Sequence, residues 1–245
     1  MDSTLVKGLT ILEKLLRSES PCSVSALAAE FNLPKSNIHR TLAALVETGF
    51  VSKNATGSYL PTLKTWELGR GVLSRQAIYR TAIVFMHTLF HEIQETVNLI
   101  VLDGDDSLYI NQISSSTPIR ASSTIGERAP AILTVSGRAM LAFTENPAKR
   151  ARDLYANQKI PKPPMKLNEL LGELEQIRHD GYGKAASVWR PGINSLAAPI
   201  LNGDNKPVGA IAVAGPKERF TEEKMQAVVP ALLNICTGIS RALGI

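Results

Sequence analysis

The chain has 245 residues, 44% hydrophobic and 20% charged, enough apolar material for two packed domains and too much for a disordered chain. Its formal charge of +5 and pI of about 9.2 suit a polyanionic partner without requiring one. Two distant cysteines, Cys22 and Cys236, exclude a disulfide scaffold, and the absence of a signal-peptide pattern or a membrane-length apolar run leads us to expect a cytoplasmic protein.

Leu5, Leu9, Leu12 and Leu16 recur at helical spacing and predict a first helix over residues 6–17. After Ser20-Pro21, Ser23 is placed to cap a second helix with Val24, Leu27, Ala28 and Phe31 on one face. Pro34 fits the first turn of a third helix, where a missing amide hydrogen costs nothing. Its inward stripe is Ile38, Thr41, Leu42 and Leu45. The opposite face carries Ser36, His39, Arg40, Ala43 and Glu47, with Lys35 and Asn37 flanking its N-terminal end and Gly49 as the C-cap. Val51-Ser52-Lys53 and Ser58-Tyr59-Leu60, either side of Asn54-Ala55-Thr56-Gly57, then read as a small β-hairpin.

Helix, helix, short turn, helix, hairpin is the order of a winged helix-turn-helix, whose third helix enters the major groove of DNA. Arg40 suits a bidentate pair to guanine, and Asn37 or His39 reaches adjacent acceptors. Lys35, Ser36 and the wing's Lys53 suit phosphate contacts, which position without reading sequence. Double-stranded DNA is the expected partner. The competing reading is a helical module with a polar outer face that touches no DNA.

From residue 63 a helical stretch leads out of the hairpin, followed by an amphipathic stripe of Ala82, Phe85, Met86, Leu89, Phe90 and Ile93. Both helices are apolar enough to pair with a second copy. Residues 96–102 and 108–113 read as a hairpin around Asp103-Gly104-Asp105. Helices are expected over 134–143 and 168–179, the latter closed by Gly181. Two apolar strands, 195–201 and 207–214, flank the turn at 202–206, and Thr221 caps a final helix running towards Leu243. The Pro-rich IPKPPM at 160–165 reads as a loop. The predicted layout is a winged helix-turn-helix over 1–62, a linker helix over 63–79, and an α+β domain with a mostly antiparallel sheet over 80–245.

Several segments in order and register make the chain similar to the IclR family of bacterial transcriptional regulators over essentially its full length. They are KGLTILEKL, SVSALAAEFNLPKSNIHRTLAALVETGFV and YLPTLKTWELG, then ETVNL, GERAPAILTVSGRAMLAF, ELEQIRHDGY, PGINSLAAPI and VGAIAVAGP. The resemblance implies a GAF-like C-terminal domain that binds a small organic effector and helps oligomerise the protein. It also implies binding to palindromic operators as a homodimer or homotetramer, with repression the expected sense; no cofactor or metal is expected. It places the effector near Gly126, Arg128, Ala129, Pro130 and Ala131, with Trp189, Arg190, Ser195, Ala212 and Ala214 completing the pocket. Where many relatives carry S-x-S-G-P this chain has Ala212-Val213-Ala214-Gly215-Pro216, and GKAASVWRPG lacks their pair of glutamates. Those departures lead us to expect an acid with an apolar or aromatic body, its carboxylate met by Arg128 or Arg190.

Other signals carry weaker chemistry. His87 and His91 stand at i, i+4, a spacing that holds a metal only with a third ligand; surface imidazoles are the plainer reading. Asp103, Asp105 and Asp106 lack the closing acid of a calcium loop. Ser136 has no G-x-S-x-G around it and reads as a helix start. Cys236 sits among apolar residues as a buried thiol. Trp189 reads equally as a loop plug or a pocket wall. With no nucleophile, base or metal cluster in the C-terminal part, an enzyme is not expected. A ligand-independent architectural DNA binder is disfavoured by the size of that domain.

Overall fold

The computed structural model of the chain describes residues 3–157, 165–186 and 190–244. Trp189 and most of the Pro-rich segment at 160–165 lie outside the described residues. The chain divides into two units, Met1–Arg75 and Gln76–Ile245.

In the first unit, helices α1 (Ser3–Arg17), α2 (Val24–Glu30) and α3 (Lys35–Glu47) precede strands β1 (Val51–Lys53) and β2 (Tyr59–Pro61) and helix α4 (Lys64–Arg75). The local chemistry follows the sequence closely. The Ser23 hydroxyl accepts from Ala26 N at the start of α2. At the end of α3, Phe50 N reaches Leu45 O and Gly49 N reaches Val46 O, both at 2.9 Å. This is a Schellman ending, and it needs the left-handed backbone of Gly49, φ +77°. The hairpin pairs Val51 with Pro61 and Lys53 with Tyr59, one residue later on its second strand than the sequence predicts. Ile11, Leu15, Leu27, Ile38, Leu42 and Val51 fill the core.

The spacing of leucines in α1 finds the helix but not its inner face. Of the four, only Leu12 is buried; Leu9 is 57% exposed, and Ile11 and Leu15 take the core positions. Leu9, Gly8, Ala44, Leu45 and Phe50 instead border an open apolar groove of about 530 Å3 between α1 and α3.

The second unit opens with α5 (Ala77–Ile93), so the helical stretch after residue 63 is two helices that meet at Gln76. The stripe of Ala82, Met86, Leu89 and Ile93 is buried within this unit, and α5 leaves only Ile83 and Val84 as large exposed apolar residues. Thus of the two helices expected to pair with a second copy, α4, with exposed Trp66, Leu68 and Val72, keeps its apolar residues in solvent.

Strands β3 (Thr96–Asp103), β4 (Asp106–Ile113), β5 (Arg128–Pro130), β6 (Gly183–Ala186), β7 (Ile193–Leu201) and β8 (Pro207–Pro216) form one antiparallel sheet ordered β5-β4-β3-β8-β7-β6. A 3-10 turn (Ala131–Leu133) leads into α6 (Val135–Leu141), followed by α7 (Pro147–Asn157) and α8 (Leu167–Asp180). These pack with Ile100, Ala197, Ala210 and Ala212 on one face of the sheet. Helices α5 and α9 (Glu222–Leu243) cover the other. Covered on both faces, β7 and β8 are apolar without alternation, as buried strands should be. Helix α9 is long and apolar enough to cross a membrane by length and composition. Its buried side, including Leu232, Cys236 and Ile239, is the ordinary core stripe of a helix packed on a sheet.

Candidate functional site

Two features concentrate polar side chains. The first is the outer face of α3. Lys35, Ser36, His39, Arg40, Ala43 and Glu47 are all exposed, whereas Asn37 is half-buried. Pro34 caps the helix without a side-chain acceptor, and its carbonyl accepts from Asn37 N at 2.9 Å and Ile38 N at 3.3 Å. Asn37 is committed within the helix: its Oδ1 accepts from Arg40 Nη2 at 3.0 Å. Asn37 therefore braces Arg40, and the long donor fork at the tip belongs to arginine. Lys53 stands exposed on β1, its ammonium 5.7 Å from the Tyr59 ring centre. Of the residues expected to face DNA, Lys35, Ser36, His39 and Arg40 are exposed on α3 and Lys53 on β1, while Asn37 is half-buried.

The second feature is a cavity of about 60 Å3 in the second unit. By the same measure it has room for about four waters, or a few ligand atoms. The strand registers build its floor. Asn98 is paired with Ala212 across β3 and β8, and Ala214 lies opposite Ser195 of β7. Above the floor stand Tyr109 of β4, Thr134 and Ser136 from the start of α6, Ser122 and Ser123 from the 114–127 loop, and Arg190.

The polar network around the cavity is ordered. Gln112 Nε2 donates to Asn98 Oδ1 at 3.1 Å, which turns the Asn98 amide nitrogen away from that contact. Thr134 caps α6 by accepting from Gly137 N and bonds Ser107 at 2.8 Å. Burial pushes the Tyr109 phenol above its ordinary pKa, with the Glu127 carboxylate adding to the rise and Arg190 opposing it. Tyr109 therefore remains a neutral hydrogen-bonding group at physiological pH. Arg190 donates to the Ser122 carbonyl and, at 2.5 Å, to Glu127 Oε1.

Of the residues that the resemblance places at the effector, Arg190, Ser195, Ala212 and Ala214 line this cavity. The segment from Gly126 to Ala131 does not. Gly126 is exposed at a turn with φ +88°, Ala129 and Pro130 are on edge strand β5, and Ala131 is fully buried beneath α6. Arg128 is exposed and paired with Asp103 and Asp106, so it offers nothing to the cavity. Ser122, Ser123, Thr134 and Ser136 also stand among the lining residues, beside a surface that is mostly apolar.

Asn98 carried a readable signal, an amide inside the apolar strand TVNLIVL. Ser136 reads from sequence as a helix start, which it is, but its hydroxyl also faces the cavity. Nothing local marks Tyr109, Ser122 or Ser123. His87 and His91 are exposed, with ring centroids 6.5 Å apart. Among the described residues no group of three or more His, Cys, Asp or Glu is arranged to hold a metal.

Residues 4–55 match the IclR helix-turn-helix domain and residues 70–241 the domain described as bacterial transcriptional regulator IclR C-terminal. The chain is 29% identical over 248 residues to the HTH-type transcriptional regulator KipR of Bacillus subtilis, covering 99% of this chain and 98% of that one. It is also 29% identical over 253 residues to the HTH-type transcriptional repressor AllR of Salmonella typhimurium, covering 98% and 90%. The crystal structure of Thermotoga maritima IclR superposes with a TM-score of 0.80 at 30% identity over both full chains.

Proposed function

The chain belongs to the IclR family of bacterial transcriptional regulators, and on that premise we propose that it is a cytoplasmic, dimeric repressor released or engaged by a compact, oxygen-rich effector. One observation carries the reading: a single chain joins an exposed recognition helix to a small cavity lined by Arg190, Asn98, several serines and apolar side chains. Among the described residues that wall contains neither histidine nor carboxylate to activate Ser122, Ser136 or Ser195. Ligand capture fits such a wall better than acyl transfer. The sense of regulation follows AllR, which is a repressor.

Size and polarity choose among ligands. An engineered apolar cavity known to bind benzene has about 150 Å3, more than twice the volume here. A compact acid also meets Arg190, whose guanidinium suits a carboxylate. Calorimetry with short oxygenated acids and with aromatic acids should favour the former. Ala214→Leu, at a half-buried cavity position, should abolish that binding while operator affinity without ligand persists. Undiminished binding in this variant would move the effector elsewhere.

The DNA half is tested by a division of labour. Arg40→Ala should cost about 1–3 kcal/mol at the operator and relax preference at one base pair. Lys53→Ala should weaken all sequences alike and shallow the salt slope by about one unit. Dimerisation through the groove beside Leu9 and the exposed face of α4 would present two recognition helices. Footprints should then show inverted half-sites about one helical turn apart, or a multiple of it. Equal losses on specific and random DNA for both variants, or a monomer protecting one asymmetric half-site, would overturn this half.

A further inference from the structure

Residues 114–127 run from the end of β4 to the start of β5 and form part of the cavity wall through Ala121, Ser122 and Ser123. Besides the Thr96 hydroxyl, which donates to the Ala121 carbonyl, two arginines hold this segment, and they differ in kind. Arg219 grips Glu95 with Nε and Nη2 at 2.6 and 2.8 Å, and also donates to Thr117 Oγ1 and the Ile119 carbonyl. The Glu95 side chain is 1% exposed, so this clamp is bidentate, buried on its acidic side and remote from any ligand. Arg190 fastens the other end through the Ser122 carbonyl and Glu127. Here both partners are partly hydrated, the side chains 42% and 27% exposed. Arg190, unlike Glu127, also lines the cavity, and it is the one cation among the described lining residues.

We propose that the Arg190–Glu127 pair is a displaceable latch: a carboxylate ligand in the cavity takes the Arg190 guanidinium from Glu127 and loosens the stretch from Ser122 to Ile125, between Ala121 and the Tyr109-bound turn. The proposal rests on the effector reading and adds to it the charge of the ligand and the part that moves. Exchange of one carboxylate for another on the same guanidinium breaks and forms equivalent charge-assisted bonds, so occupancy alone tips the balance. An uncharged ligand of the same shape has no such bond to offer. Released, Glu127 keeps its local contact, accepting from Thr124 N at 3.1 Å, while the tie between this turn and Arg190 is lost. The Arg219 clamp holds Thr117 and Ile119 throughout, and the Thr96 hydroxyl holds the Ala121 carbonyl at 2.7 Å, so the loosening is confined to the stretch after Ala121. The turn is hydrogen-bonded to Tyr109 through Gly126 N and the Glu127 carbonyl, which connects latch opening to strand β4.

The test uses the full-length protein with lactate and its uncharged isostere lactamide as probes. Calorimetry on Glu127→Gln should show lactate bound about tenfold more tightly than by the wild type, since the competing carboxylate is gone. Lactamide should gain clearly less. Hydrogen exchange over residues 122–125 should rise on adding lactate to the wild type, and should already be raised in ligand-free Glu127→Gln. Exchange over 117–119 should respond only to Arg219→Gln. Unchanged or weaker lactate binding by Glu127→Gln, equal gains for both probes, or no change in its ligand-free exchange would each overturn the latch. Failure of lactate to bind either protein would overturn the carboxylate class. Failure of the effector reading shows separately, as compounds that bind Ala214→Leu as they bind the wild type.

Discussion

Replacing Arg138 with alanine should destabilise the second unit by about 2–5 kcal/mol, the usual cost of truncating a large buried side chain. Arg138 lies in the fully buried helix α6 and is itself 1% exposed. Its Nε donates to Glu173 Oε1 at 2.7 Å and its Nη1 to the Ile132 carbonyl at 3.2 Å, so one side chain ties α6 to α8 and to the 3-10 turn. Truncation leaves a cavity, an unpaired carboxylate and an orphaned carbonyl together. Arg138→Met should recover much of the loss, because it fills the space and Glu173, 25% exposed, can hydrate. Urea unfolding of the full chain measures both. Ligand affinity should fall with stability in the alanine variant, since Thr134 and Ser136 are held by the same helix start. A loss below about 1 kcal/mol would class Arg138 with ordinary surface positions and refute its structural role.

Leu42→Ala is expected to lose operator binding through folding and not through contact. Leu42 is fully buried on the inner side of α3, and the first unit's core cluster contains only nine buried residues. Truncating a core leucine costs about 2–5 kcal/mol, a large share of the stability of so small a core. The first unit should therefore melt early, while calorimetric ligand binding by the second unit remains. Arg40→Ala supplies the contrast, an exposed change that weakens DNA binding at an unaltered melting temperature. Wild-type operator affinity for Leu42→Ala at physiological temperature would show that α3 does not depend on this core.

Local chemistry made most elements legible. Ser23, Gly49, Thr134, Gly181 and Thr221 each mark a helix end that the structure realises. The strands β3, β4, β7 and β8 announce themselves by β-branched and apolar runs. The elements missing from the sequence reading have weak signals. Helix α7 reads PAKRARDLYAN, with few apolar positions, and β6 reads GKAA, with little strand propensity. The three residues of β5 are a strand only because β4 lies beside them.

What the sequence by itself determined is the kind and order of the elements, the recognition-helix face, and the family. Each of these depends on periodicity, caps or linear register, and the chain carries those locally. The tertiary structure decided the rest. Leucine spacing located α1, but the packing of α2 and α3 chose Ile11 and Leu15, not Leu9, for the core. Arg128 and Arg190 look alike in sequence; Asp103 and Asp106 claim the first, and only the second reaches the cavity. The cavity itself gathers Asn98, Ser122, Ser136 and Ser195 from four distant segments. Its polarity could not be read from positions 212 and 214 alone, because the character of a cavity is set by whichever side chains strand register and loop closure bring face to face.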